Sequence, residues 1–252
     1  MQRTAVILPA LGLLAALFCG TASGEGLSRE QGDAMINELR QIRLLLEKQQ
    51  RGNAAPAAPV APAPPEKVRL KLGKENVLGR SDAPLVMVEY TDYQCSFCNR
   101  FSATTFPELK KQYIDTGKLR FISRDFPLEF HPHALKAAQA NRCAGEQDRF
   151  WQLKDALMKN SARLTPELIT SLARSDAGLD MAKFQACMDG GSYLAEIRDN
   201  IAAATAVGIN GTPSFVIGKM AGDYLDGYLL VGAQPFASFD RILKELQPGP
   251  RQ

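Results

Sequence analysis

The spacing of apolar and polar positions changes several times along the chain, and each change marks a different kind of element. Residues 5–18 are almost continuously apolar. From residue 27 to 51, Met35, Leu39, Ile42 and Leu46 recur at spacings of 4, 3 and 4, which is one stripe of a helix. Ser28, with Gln31 three residues on, supplies a capping box for its start. Residues 68–72 (VRLKL) alternate as an edge strand does, whereas residues 84–90 (PLVMVEY) read as a more buried strand. A period of two places Leu85, Met87 and Glu89 on one face and Val86, Val88 and Tyr90 on the other. Residues 118–126 (KLRFISRDF) predict a third strand. Helical periodicity then fills residues 132–206, with breaks near Asn160, at 176–178 and at Gly190-Gly191. Short strands return at 214–218 (SFVIG) and 228–232 (YLLVG), and residues 235–246 predict a closing helix. A sheet interrupted by a long helical block and then resumed is a small α/β domain with a helical insertion. Phe126, Phe130 and Trp151 are its expected core aromatics.

The first 24 residues, with Arg3, the apolar run and a small-residue TASG segment, read as an export signal cleaved near 22–24. An uncleaved anchor is the alternative. Phe18 before Cys19 argues against lipid attachment, so Cys19 is expected to leave with the signal. Residues 54–65 (AAPAAPVAPAPP) form a semi-rigid spacer of about 35 Å at about 3.1 Å per residue. A lone amphipathic helix held off the body by such a spacer buries its stripe by associating, so residues 27–51 are expected to build a homo-oligomer. Leu39 and Leu46 at a-type positions and Ile42 at a d-type position favour three or four strands. The expected division is signal at 1–24, oligomerisation helix at 25–52, Pro/Ala linker at 53–66, α/β domain at 67–131 and 207–249, and helical insertion at 132–206.

A net charge of +3 over 252 residues is too mild for a nucleic-acid partner. Removal of the signal leaves Cys95, Cys98, Cys143 and Cys187 in an oxidising compartment, periplasmic or otherwise exported. Of the three possible pairings, the adjacent pair and the distant pair are the natural solution. A zinc site would bring a second ligand pair of similar spacing; Cys143 and Cys187 stand alone, and His131 and His133 are expected to be exposed capping residues. Soft Cu(I) binding by Cys95 and Cys98 remains chemically open. Redox exchange needs a thiolate at a helix N-terminus and a second thiol to resolve a mixed disulfide. Strand 84–90 leads through TDYQ to Cys95 at a helix start, where unpaired N–H groups favour negative charge. Cys95 is therefore expected to be partly exposed and to attack, and Cys98, one turn inward, to release.

Residues 86–101 (VMVEYTDYQCSFCNRF), followed in order by LRFISRDFPL, HPHALKAAQANRCAGEQDRFW, GINGTPSFVIG and LVGAQPF, resemble the DsbA-like branch of the thioredoxin superfamily over residues 67–247. The N-terminal helix and spacer resemble the oligomerising stalks of some periplasmic disulfide isomerases and of ScsC-type proteins. The resemblance implies a thioredoxin fold with an inserted helical domain and a redox-active Cys95–Cys98 pair at their junction. It implies a cis Thr212-Pro213 loop against that pair, with Thr212 offering backbone hydrogen bonds to an extended substrate. It places Glu89 as a buried acid beneath the centre; such an acid in apolar surroundings could move the proton of Cys98. Strong oxidases of the family carry Pro-Tyr or Pro-His between the cysteines. Ser96-Phe97 here implies a milder oxidant and keeps isomerase activity open. Cys143–Cys187 is expected to be a structural disulfide. The expected activity is thiol-disulfide exchange on unfolded or misfolded protein substrates, recharged by a membrane redox partner and using no cofactor or metal. The rival is a non-enzymatic Cu(I)-binding protein or a holdase.

Overall fold

The computed structural model describes residues 28–52, 66–73 and 76–247. The expected signal and residues 53–65 of the spacer lie outside them. Residues 1–61 and 62–252 form two separate units. In the first, Arg29–Gly52 is a single helix, α1. Its start is a capping box: Gln31 N–H donates to Ser28 Oγ at 3.1 Å and Ser28 N–H donates to Gln31 Oε1 at 3.0 Å. The stripe Met35, Leu39, Ile42 and Leu46 is exposed, as are Ile36, Leu44 and Leu45.

The second unit is organised around β3 (Leu85–Thr91), all seven residues of which are buried. A strand that is apolar on both faces belongs in the middle of a covered sheet. It pairs in parallel with β4 (Leu119–Asp125) and antiparallel with β5 (Ser214–Ala221). β6 (Tyr224–Val231) and then β1 (Lys67–Lys71) extend the β5 side, and β2 (Val77–Leu78) closes the β4 side. The period-two reading of β3 holds. Leu85 and Met87 pack with Phe101, Phe215 and Phe239, whereas Val86, Val88 and Tyr90 pack with Ile122, Val216 and Ala204. Each fully buried side chain of this size contributes about 1.5–3 kcal/mol relative to exposure.

One strand was not anticipated from the sequence and another begins earlier than expected. β2, a two-residue strand, is too short to show a period. β6 begins four residues before 228, running through Asp226-Gly227, a pair that ordinarily signals a turn. Here Gly227 lies opposite Gly218 of β5, and a Cβ built on Gly218 would sit 2.0 Å from the Asp226 carbonyl oxygen. The two glycines let the backbones approach where no side chain fits.

The helix carrying the cysteine pair runs from Ser96 to Ile114 in four pieces: α2 (Ser96–Arg100), a π turn (Phe101–Thr105), α3 (Phe106–Leu109) and a second π turn (Lys110–Ile114). Pro107 cannot donate to the carbonyl four residues back and would clash with it. Just ahead of it the helix widens, with Phe106 N–H reaching the Phe101 carbonyl five residues earlier. Five helices separate β4 from β5: α4 (Ala134–Gly145), α5 (Phe150–Lys159), α6 (Pro166–Ser175), α7 (Met181–Gly190) and α8 (Leu194–Ala206). Their core is built on Ala137, Ala140, Leu153, Leu157, Ile169 and Phe184, and it encloses Tyr93, Cys95 and Cys98. α9 (Phe236–Leu246) closes the chain. Phe126 is buried as expected and Trp151 is partly buried against Phe121. Phe130 is not a core residue: it is 74% exposed at a loop, its ring against the edge of His131.

Candidate active site

The end of β3 delivers Glu89 into the interior, and the turn that follows delivers both cysteines. Cys95 N–H donates to the Asp92 carbonyl at 3.2 Å, and Cys95 then serves as the N-cap of α2 with extended backbone angles. From that position its sulfur faces the first free N–H groups of the helix. On the far side the Thr212-Pro213 peptide is cis, and the Thr212 carbonyl lies 3.4 Å from Cys95 Sγ. Both cysteines are free thiols and both are buried, Cys95 at 5% exposure and Cys98 at 0%. The expectation of a partly exposed Cys95 is thus corrected: it is buried in the insertion core and against the Thr212 carbonyl.

The two thiols are driven in opposite directions. Cys95 falls from an ordinary value of 9.0 to about 5. The largest cause is the Cys98 thiol, which donates to the Cys95 thiolate. Burial opposes this, while the Thr212 hydroxyl and the N–H groups of Cys98 and Phe97 add to it. The Thr212 hydroxyl is buried with no hydrogen-bond partner, so the ionised sulfur is a group it can serve. The helix terminus matters, but less than the neighbouring thiol. Cys98 is pushed well above the ordinary range, first by burial, then by Cys95 and by the negative charge of Glu89; the Asp92 N–H opposes the shift.

Glu89 is 1% exposed and does not point to water. Its surroundings are not purely apolar either. Lys154 Nζ donates to Glu89 Oε2 at 2.8 Å, and the Ser123 hydroxyl reaches the same oxygen at 3.3 Å. Lys154 comes from α5 of the insertion and is itself only 7% exposed. A second buried pair joins the same parts, with Arg142 of α4 donating to Asp125 at the end of β4 and, at 2.9 Å, to Glu196 of α8. Sequence reasoning missed Lys154. Its one signal was its place on the buried stripe of α5 with Phe150, Leu153 and Leu157, where an unpaired lysine would not be tolerated.

Cys143 and Cys187 are joined in a disulfide between α4 and α7, 5.8 Å apart at Cα. Neither histidine is an exposed side-chain cap. His133 is the N-cap residue of α4 but makes no cap bond with its side chain. His131 Nδ1 lies 2.8 Å from Asp92 Oδ2. Among the described residues no group of three or more histidine, cysteine or acidic side chains is gathered as metal ligands, and no helix is long and apolar enough to cross a membrane.

The thioredoxin family profile matches residues 71–228, more than half of the chain. Among solved structures, α-DsbA1 of Wolbachia pipientis superposes with a TM-score of 0.60 at 26% identity, covering 70% of this chain and 92% of that one. The catalytic domain of Proteus mirabilis ScsC superposes with a TM-score of 0.55 at 26% identity, covering 68% and 88%. By sequence, the chain is 35% identical over 167 residues to a Na(+)/H(+) antiporter NhaA 1 of Mycolicibacterium gilvum, covering 62% of this chain and 26% of the antiporter. It is also 30% identical over 146 residues to NhaA 3 of Salinispora tropica, covering 57% and 22%. The chain thus spans about a quarter of the length of these curated relatives. With its mixed sheet, its helical block between β4 and β5, and a cysteine pair at the start of the helix that follows β3, the chain belongs to the thioredoxin family, and in structure it is DsbA-like.

Proposed function

We propose that the chain is an exported thiol-disulfide oxidoreductase that forms or reshuffles disulfides in protein substrates through a mixed disulfide on Cys95. The observation that carries this reading is the asymmetry of the two thiols: one held as thiolate near neutral pH, the other held protonated beside it. In the reducing direction Cys95 Sγ attacks one sulfur of a substrate disulfide and the other leaves as a thiolate. Cys98, once deprotonated, attacks Cys95 Sγ and frees the second substrate thiolate. The substrate gains two electrons and the enzyme is left with a Cys95–Cys98 disulfide. In the oxidising direction the same bonds form and break in reverse, with Cys98 as the first leaving group. Glu89, anchored by Lys154, is assigned the transfer of the Cys98 proton. Thr212 and Pro213 are assigned the docking of an extended substrate segment beside Cys95, and Cys143–Cys187 is assigned a structural role.

The exposed apolar stripe of α1 supports self-association, which would bring several centres to one misfolded client and favours isomerisation. The DsbA-like body favours oxidation with recharging by a membrane redox partner. Replacing Cys98 with Ser should trap mixed disulfides between Cys95 and client proteins. No trapped species, combined with tight Cu(I) binding by the parent, would favour the copper-binding rival. Refolding of a scrambled-disulfide substrate with and without residues 25–65 tests the stalk: reshuffling that survives the truncation unchanged would remove it from the mechanism.

A further inference from the structure

The segments that meet at the cysteine pair carry almost no charge. Arg100 is the one charged side chain between Asp92 and Glu108, and neither residues 208–218, which include the cis proline, nor residues 227–239 carry any. Phe97, between the two cysteines, is 53% exposed, and the Arg100 guanidinium lies over its ring, 5.0 Å from the centroid. The two residues are three apart on one helix, where side chains lean towards the N-terminus. Arg100 thus reaches back towards the end of α2 that holds Cys95. It is exposed and forms no ion pair among the described residues. A guanidinium stacked on an aromatic face keeps the donors at its rim free for a carboxylate.

A second cation flanks it. The turn Ser161–Arg163 packs on α2, and Asn99 ties the end of α5 there by donating to the Met158 carbonyl. Arg163 is exposed and donates to the Asn160 amide oxygen at 2.9 Å, whereas Lys159 is paired with Asp155 at 2.6 Å. Over α2 and this turn the protein therefore presents two guanidinium groups without acidic partners and no unpaired acid. An exposed acid, Glu129, stands on the loop after β4, which is bonded to the turn ahead of Cys95: Leu128 N–H donates to Asp92 Oδ2 at 2.7 Å and His133 N–H to Gln94 Oε1 at 2.6 Å.

We infer that Arg100, held over the Phe97 ring, is a specificity-determining residue for the protein substrate: it selects extended segments that carry a carboxylate side chain within about three residues of the cysteine engaged by Cys95. The reach follows from helix dimensions. Phe97 lies about 3 Å along the axis from Cys95 on a helix about 10 Å wide, and three extended residues cover about 10 Å. The apolar ring offers the segment a surface to lie on, and the cation offers its charge a partner. The inference rests on the exchange reaction proposed above.

The test uses the reduced protein and three peptides that differ in one residue, Glu, Gln or Lys, placed two positions from a single cysteine. That cysteine is linked to a coloured aromatic thiol. Cys95 Sγ attacks the peptide sulfur, the peptide–aryl disulfide breaks, and the aromatic thiolate, the better leaving group, departs. The quantity read is the ratio of colour-release rates for the Glu and Lys peptides. Comparing that ratio between proteins cancels both the peptide's effect on its own disulfide and any general effect of the substitution. An exposed ion pair is commonly worth about threefold, and the matching repulsion about the same. At about 0.01 M salt the ratio should therefore fall about tenfold from the parent to Arg100→Gln and about tenfold again to Arg100→Glu. At about 1 M salt, where the screening length is about 3 Å, both falls should shrink to within about twofold. A ratio that is the same in the three proteins at low salt would overturn the inference, as would a fall that survives high salt. A parent that releases no coloured thiolate from any of the peptides would instead remove the exchange reaction itself.

Discussion

Holding Cys95 as a thiolate must appear in the folding equilibrium of the reduced protein. The perturbation is pH, applied to the parent and to Cys95→Ser, which keeps the size of the side chain but cannot ionise. The folded sulfur titrates at about 5 and the ordinary thiol at 9.0. The folded value is the lower one, so the stabilisation is complete above pH 9, falls as pH drops, and is gone below pH 5. Across that window the parent should lose about 1.4 kcal/mol per pH unit relative to the variant. At pH 7 the difference from its acid limit is then about 2.7 kcal/mol, and allowing for solvent screening of a residue that keeps 5% exposure leaves about 2 kcal/mol. Cys98 stays protonated throughout, and the carboxylates titrate alike in both proteins, so neither enters the difference. Urea denaturation of the reduced forms at pH 4, 5.5, 7 and 8.5 reads it directly. With a slope of about 1–3 kcal/mol/M, 2 kcal/mol moves the midpoint by about 1 M. Stabilising the reduced form by that much also raises the reduction potential by about 40 mV. A parent-minus-variant difference that is flat from pH 4 to 8.5 would refute the thiolate assignment.

Three further outcomes are expected. Lys154→Met should destabilise the fold by about 3–5 kcal/mol, because it leaves Glu89 buried without its cation. Adding Glu89→Leu should recover much of that loss, and a thermal-denaturation cycle over the four proteins gives the coupling. Replacing Cys143 and Cys187 together with alanine should cost about 4 kcal/mol, from a loop with a sequence separation of 44; a change below 1 kcal/mol by chemical denaturation would show that the bond constrains little. Leu39→Glu combined with Ile42→Glu should convert an α1-mediated assembly to a single chain in sedimentation velocity. An unchanged sedimentation coefficient would dissociate the stripe from assembly.

Much of the fold was legible because its signals are local. The apolar run at Leu85–Thr91, the breaks between helices and the Ser28-Gln31 cap each declare themselves within a few residues. The cysteine pair was legible for the same reason: Cys95 and Cys98 share one turn. The electrostatic frame around them was not. Lys154 meets Glu89 across 65 residues of sequence, and His131 meets Asp92 across 39. Nothing in either neighbourhood names the partner. Phe130 misled because a phenylalanine between a strand and a helix is usually buried, whereas its loop is held by Asp92 and Gln94 with the ring turned outward. The Asp226-Gly227 stretch misled because what makes it a strand is the absence of a side chain on Gly218 across the ladder.

The helical block between β4 and β5 also divides the centre in time. Cys95 precedes it, Lys154 lies inside it and Thr212 follows it, with 117 residues between the first sulfur and the carbonyl that faces it. At roughly 5–20 residues per second, the nascent chain waits about 6–23 s between making the nucleophile and making the last piece of its pocket. Throughout that interval the sulfur lacks part of the environment that ionises it, so its full reactivity arrives only with the completed fold.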